Sequence, residues 1–315
     1  MGRYVLSKIF QSAIVVFIVS VIIFGIIEIL PGDISASLIT DEVTDVEAEM
    51  IREKYGLNKT PIERYMTWAG KALRGDLGNS FTSKEPVFQK VMHAMGITLK
   101  FTLISLVIGT LIGIVFGVIA AVNRGKALDS LISVCANICN AAPSFWFAVV
   151  LILVFAVELK WLPVQGYTPL SEDLVKGLRQ MVLPCLVLML PTIASITRQT
   201  RSAMLEVLNQ EYVRTARSKG QKERVVIFKH VLKNALIPVL TVLGMRLNSC
   251  FAGAMISESV FGVPGMGSVI MTAVMSQDPD LLMGCTIIMC IVVVFTTLLV
   301  DIAYGIVDPR MRNTR

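Results

Sequence analysis

Charge is scarce in this chain of 315 residues: Asp, Glu, Lys and Arg make up only 17% of it, against roughly 25% in soluble domains. Hydrophobic residues make up 54%, mean hydropathy is +0.70, and the apolar residues run in long unbroken blocks. That combination excludes a disordered chain, a disulfide-stapled secreted module and an ordinary soluble enzyme. Histidine is nearly absent, with only His93 and His230. The six cysteines, at 135, 139, 185, 250, 285 and 290, sit in apolar stretches with no Cys-x-x-Cys pair. Structural zinc needs four converging ligands, so no metal site is expected and the cysteines read as small apolar residues.

Catalytic signatures are missing too. No Gly-x-x-x-x-Gly-Lys-Ser/Thr loop is present to cradle a nucleotide phosphate. Gly262-Val-Pro-Gly-Met-Gly267 follows no strand and is not a dinucleotide loop. Intramembrane proteolysis needs a Ser/His pair or two aspartates within spans. Both histidines lie at span edges, and Asp301 has no partner aspartate in a span. No small-x-small cleavage site follows the first apolar run, which therefore reads as a retained anchor.

What remains is an all-α polytopic membrane protein. A hydrocarbon core about 30 Å thick needs about 20 apolar residues in a helix. Six runs qualify: 9–27, 101–123, 130–157 with Pro143 in its middle, 180–197 with Pro184 and Pro191, 234–257, and 281–300. In the second, Gly109, Gly113 and Gly117 share one face, the small-xxx-small pattern that admits a close helix neighbour. With the N-terminus inside, the cytoplasmic pieces 1–8, 123–129, 198–233 and 306–315 carry sixteen Lys and Arg, while the outer piece 258–280 carries none. The outer 31–95 stretch has eight, but long segments cross regardless of charge. This predicts six transmembrane helices with both termini in the cytoplasm. It also explains the net charge of +6 without a nucleic-acid partner.

The expected organisation is 1–30 as tail and first span, 31–95 as an extracytoplasmic segment, and 96–315 as a five-helix core that includes the cytoplasmic loop 198–233. Capping-box patterns at Thr44-Asp-Val-Glu47 and Thr60-Pro-Ile-Glu63 predict short outer helices over 45–55 and 61–73. In the loop, Leu205, Leu208, Tyr212 and Ala216 form one apolar stripe, with Glu206, Gln210, Arg214 and Arg217 opposite. Gly220 interrupts, and Val225, Phe228 and Leu232 resume helical spacing. A helix–Gly–helix of this kind lies against anionic lipid, caps the bundle, or receives force from a partner. Arg246 stands alone at the middle of the fifth span. It either lines a polar pathway or satisfies groups inside the bundle. The Phe261-Gly-Val-Pro-Gly-Met-Gly267 stretch is either a gate or partner contact, with Phe261, Pro264 and Gly265 as candidates, or a rigid turn.

Taken together, several segments resemble one family. Thr200 to Gly220 looks like the cytoplasmic EAA loop of binding-protein-dependent ABC importer permeases, specifically the B-type permeases of the dipeptide, oligopeptide and nickel branch. Similar too are His230-Val-Leu-Lys-Asn-Ala-Leu-Ile-Pro238, Leu30-Pro-Gly-Asp33, Gly75-Asp-Leu-Gly-Asn-Ser80, Pro143-Ser-Phe-Trp146, Glu258 to Gly267 and Asp308-Pro-Arg310. They cover nearly the whole chain in the family's order. Arg214-Thr-Ala216 occupies the Glu-Ala-Ala position, with Arg214 and Thr215 in place of Glu and Ala as is usual in this branch.

The resemblance implies a type I ABC importer permease in the cytoplasmic membrane of a prokaryote. It would pair with a homologous C-type permease, bind two ABC ATPase subunits beneath, and receive a small peptide from an extracytoplasmic binding protein. ATP and magnesium would be handled by the ATPases, leaving this chain without a cofactor or ATPase site. Tyr212, Arg214, Thr215, Ala216, Arg217, Lys219 and Gly220 would form the coupling loop. Small Ala216 is expected to let the partner surface approach closely, and the basic residues to set its register. Nickel or another metal chelate is the alternative substrate. A self-contained ion-driven transporter is the alternative class, and a membrane enzyme is disfavoured by the missing constellations.

Overall fold

The structure, a computed structural model, describes residues 2–29 and 59–307. Leu30 to Asp33, the helix expected over 45–55 and the Asp308 to Arg310 motif lie outside the described residues. In chain order the helices are α1 (Gly2–Ile29), α2 (Pro61–Ala72), α3 (Val87–Val122), α4 (Ala127–Ala141) and α5 (Ser144–Leu151), which continues in wide π-type turns over Ile152–Glu158. Then come α6 (Leu174–Leu208), α7 (Glu211–Ser218), a short stretch Glu223–Val225 with π-type turns over Val226–Leu232, α8 (Lys233–Phe261), α9 (Met266–Met275) and α10 (Pro279–Val307).

Among the described residues five helices are long and apolar enough to cross a membrane, and six spans result when the bent α4–α5 pair counts as one. The run expected as one span over 130–157 is thus bent, by 107°. Proline has no N–H and its ring pushes the preceding residue out of helical backbone. Ala142 is accordingly extended, with φ −76° and ψ 141°. Pro184 and Pro191, by contrast, lie inside the continuous 35-residue α6. That helix therefore outruns the expected 180–197 at both ends.

The chain divides into two compact units, one formed by 1–96 with 268–298 and the other by 97–267 with 299–315. In the first, the expected capping box opens α2. The Thr60 hydroxyl accepts from the Glu63 N–H at 3.4 Å and the Thr60 N–H donates to Glu63 Oε2 at 3.1 Å. The helix is tied to α1 by Arg64, which donates to both Glu28 carboxylate oxygens at 2.8 and 3.0 Å, and by Tyr65 and Ser20, whose oxygens lie 2.8 Å apart. The Gly75 to Ser80 motif is a turn with Gly75 and Gly78 at φ +85° and +83°, a backbone region that glycine enters freely. It leads to fully buried Asp278. That carboxylate accepts from Ser80 Oγ at 2.7 Å and the Thr82 N–H at 3.3 Å, and caps α10 through the Leu281 N–H at 3.0 Å.

The second unit rests on a close approach of α3 and α6. A Cβ built on Gly109, Gly113 or Gly117 would lie 3.3, 2.8 or 2.5 Å from Thr192, Ile196 or Thr200 respectively. The glycine stripe therefore faces an equally spaced row on α6, as the small-xxx-small pattern predicts. Beside it, buried Asp129 near the start of α4 accepts two hydrogen bonds from Arg201 of α6, at 2.6 and 2.8 Å, and one from the Gly125 N–H at 3.0 Å. Gly117→Ala forces these helices apart, an overpacking worth roughly 1–3 kcal/mol. We expect it to lower the thermal midpoint in detergent, while Gly25→Ala, with nothing within 4 Å of the new methyl, leaves the midpoint unchanged or raised.

Candidate functional site

The segment singled out by its amphipathic spacing is built in two phases. The helix α6 ends at Leu208, where the Asn209 and Gln210 N–H groups bond back to Glu206 and Val207 carbonyls at 3.3 and 3.0 Å. Gln210 is extended, with φ −75° and ψ 147°, and α7 begins after it. This break resets the helical register, so the stripe read across 205–216 is not one face. Val213 and Ala216 are the buried residues of α7, packed with Ala203, Met204, Val226, Ile227, Val231 and Ala235. Tyr212, Arg214, Thr215, Arg217 and Lys219 point outward. Likewise Val226, Ile227 and Val231 are buried, while Val225 and Phe228 are exposed.

The reversal after α7 is a Schellman turn. The Gly220 N–H bonds to the Arg217 carbonyl at 2.9 Å and the Gln221 N–H to the Ala216 carbonyl at 3.4 Å. It requires Gly220 at φ +74°, and no heavy atom lies within 4 Å of where a Cβ would stand. Backbone conformation, not space, makes the residue special. Three side-chain contacts close the turn: Arg217 with Glu223 at 2.7 Å, His230 Nε2 with Gln221 Oε1 at 2.9 Å, and Asn234 Nδ2 donating to the Tyr212 hydroxyl at 3.0 Å. Arg217 donates to both carboxylate oxygens of Glu223, which raises the already high pKa of its guanidinium. The result is a short, firmly seated helix that presents a basic outer face.

Midway along α8, Arg246 Nη2 donates to Asn140 Oδ1 at 3.2 Å and to the Ser195 hydroxyl. Ser195 Oγ in turn donates to Asn140 Oδ1 at 3.3 Å. Asn140 lies beside the bend that ends α4, and Ser195 is on α6, so three helices meet at one cation.

At the far end of α8, Gly262 takes φ +62° and the Val263 N–H bonds to the Glu258 carbonyl at 2.9 Å. The Glu258 side chain, 2% exposed, accepts from Thr98 Oγ1 at 2.6 Å and from the Gly267 N–H at 2.7 Å. Thr98 Oγ1 accepts from the Met266 N–H at 2.8 Å. A Cβ on Gly265 would fall 2.3 Å from the Glu258 carboxyl carbon, and one on Gly267 would fall 2.2 Å from the Met255 Cα. Phe261 and Gly265 are buried, and Pro264 is exposed. The turn over 261–267 is therefore pinned from within by one carboxylate.

Family comparison agrees with this architecture. The model described as "Binding-protein-dependent transport system inner membrane component" matches residues 113–313, and that of the N-terminal part of such components matches residues 1–102. The chain belongs to this family. The oligopeptide transport system permease protein AppB of Bacillus subtilis is 36% identical over 314 residues, covering 99% of each chain. The probable peptide ABC transporter permease protein y4tP of Sinorhizobium fredii is 34% identical over 312 residues, covering 99% of this chain and all of that one. Among solved structures, a chain of the inward-facing MetNI methionine ABC transporter matches with a TM-score of 0.58 at 19% identity, over 69% of this chain and 96% of that one. The fold is that of a type I ABC importer permease, and the protein is an integral inner-membrane transport subunit.

For this permease the expected role of Ala216 needs correction. Its methyl is turned toward the chain's own helices, and its small size lets α7 sit close to α6 and the 226–235 segment rather than to a partner. Its place on the apolar side of α7, packed with Met204, Val226 and Val231, is the reason. The anchoring carboxylate Glu258 is not among the candidate site residues read from the sequence, although it stands nine positions before Gly267, whose N–H it accepts. Its partner Thr98 is 160 residues away, which no local pattern reveals. Glu258→Ala leaves the Thr98 hydroxyl and the Gly267 N–H without an acceptor, a loss of roughly 1–3 kcal/mol. We expect hydrogen exchange over 262–267 to accelerate about tenfold, with α6 unchanged.

Proposed function

We propose that this permease forms one half of an ATP-driven import pathway for small peptides. In this reading both termini face the cytoplasm and a homologous permease supplies the other half. Two ATPases bind below, a binding protein delivers substrate from outside, and this chain holds neither ATP nor metal. The observation that carries the coupling role is the exposed basic face of α7, held by Val213 and Ala216 inside and by the Gly220 turn behind. A helix seated this firmly transmits a push from a docked ATPase to α6 and α8, to which its buried residues and the Tyr212–Asn234 hydrogen bond connect it. The names of the relatives favour peptide over nickel. The pinned turn over 261–267 suits a fixed rim of the pathway better than a moving flap.

The test is uptake by liposomes containing the complete transporter, with ATP inside and a loaded binding protein outside. A β-branched residue at φ +74° is strained by about 1–2 kcal/mol or more, enough to tilt α7 from its seat. Gly220→Val is expected to lower ATP-driven peptide uptake at least about tenfold while the subunits still co-purify. Uptake at the normal rate contradicts the coupling role, and uptake driven by an ion gradient without ATP contradicts the importer reading.

A further inference from the structure

Arg246 has more charge than its surroundings answer. Its two hydrogen-bond acceptors, Asn140 Oδ1 and the Ser195 hydroxyl, are neutral, and both are reached by the same nitrogen, Nη2. No carboxylate among the described residues pairs with it, and the Asp129 that lies on the same helix as Asn140 is already held by Arg201. A second cation, Arg198, lies one turn from Ser195 on α6 and forms no ion pair or hydrogen bond with any described residue. In a membrane span a charged side chain faces the bundle interior or a water-filled cavity and marks a substrate or ion pathway by default. Its half-exposed position at the middle of α8, beside the interrupted span of α4 and α5, is where membrane transporters place substrate groups.

The held edge of the guanidinium also fixes its orientation. With Nη2 occupied, Nε and Nη1 have no partner among the described residues, and a planar fork of this kind suits an incoming carboxylate. We propose that Arg246, oriented by Asn140 and Ser195, is a mid-membrane subsite for the C-terminal carboxylate of the transported peptide. The inference rests on the peptide reading above and deepens it. A free peptide carries one such carboxylate whatever its side chains, so the subsite grips substrates that otherwise differ. Only one guanidinium edge is offered, so the grip stays weak enough to release.

The experiment compares a labelled peptide without acidic side chains and its C-terminal amide. Each is delivered at equal loading by the same binding protein to liposomes containing the complete transporter. We expect Arg246→Gln to reduce the acid-to-amide ratio of uptake rates at least about tenfold, and Arg246→Lys to restore part of it. Asn140→Asp, which gives Arg246 a carboxylate inside the chain, should reduce the same ratio by competition without removing the cation. Equal losses for acid and amide in both Arg246→Gln and Asn140→Asp overturn the subsite and make Arg246 structural or the partner of an acid on the second permease. An unchanged ratio overturns it as well. Failure of the peptide reading looks different, because the unaltered transporter then takes up neither compound, and the subsite falls with it.

Discussion

Inside a bilayer every backbone N–H and C=O must find its partner within the protein, and that constraint organises this chain. Long helices satisfy it by default. The informative places are those where the backbone departs from helix within or at the end of an apolar segment, because each departure must bring its own compensation. At Ala142 and Pro143 the chain bends, and the side chain beside the bend, Asn140, is held by Arg246 and Ser195. At 262–267 the chain leaves α8 through a left-handed glycine, and buried Glu258 and Thr98 collect the N–H groups of Met266 and Gly267.

Glycine serves two different purposes here. Along α3 it removes side chains so that α6 can approach within contact of the backbone, which turns α3 and α6 into one rigid pair. At Gly220 it permits a left-handed reversal in open space. The first sets a packing distance and the second a direction. Together they give the exposed face of α7 a firm mounting, from its buried Val213 and Ala216 to the long body of α6. A subunit that receives mechanical work from a partner needs that combination of exposed face and stiff support.

Much of this was legible in the sequence. The order of the apolar segments, the glycine stripe of α3, the capping box at Thr60 and the Gly220 break all follow from local spacing, and each is found. Other features were hidden for physical reasons. Helical periodicity assumes an unbroken helix, and the two-residue break at Asn209 and Gln210 exchanged Tyr212 for Val213 on the buried face, while Ala216 stayed inside and Arg214 and Arg217 outside. Pro143 read as a kink inside one span, but whether a proline bends or breaks a helix depends on neighbours, as the unbroken path of α6 through Pro184 and Pro191 shows. Glu258 with Thr98, Asp278 with Ser80, and Asp129 with Arg201 are pairings across large separations in sequence. A single chain read alone carries no signal for them.

The central claim is that the outer face of α7, and not its inner one, meets the ATPase. A photo-crosslinking residue placed at Thr215 and, separately, at Ala216 in the assembled transporter tests it directly. The account predicts an adduct between this permease and an ATPase subunit from position 215 and none from position 216, which is 7% exposed. An adduct from position 216 alone, or ATPase adducts from neither position, would contradict it.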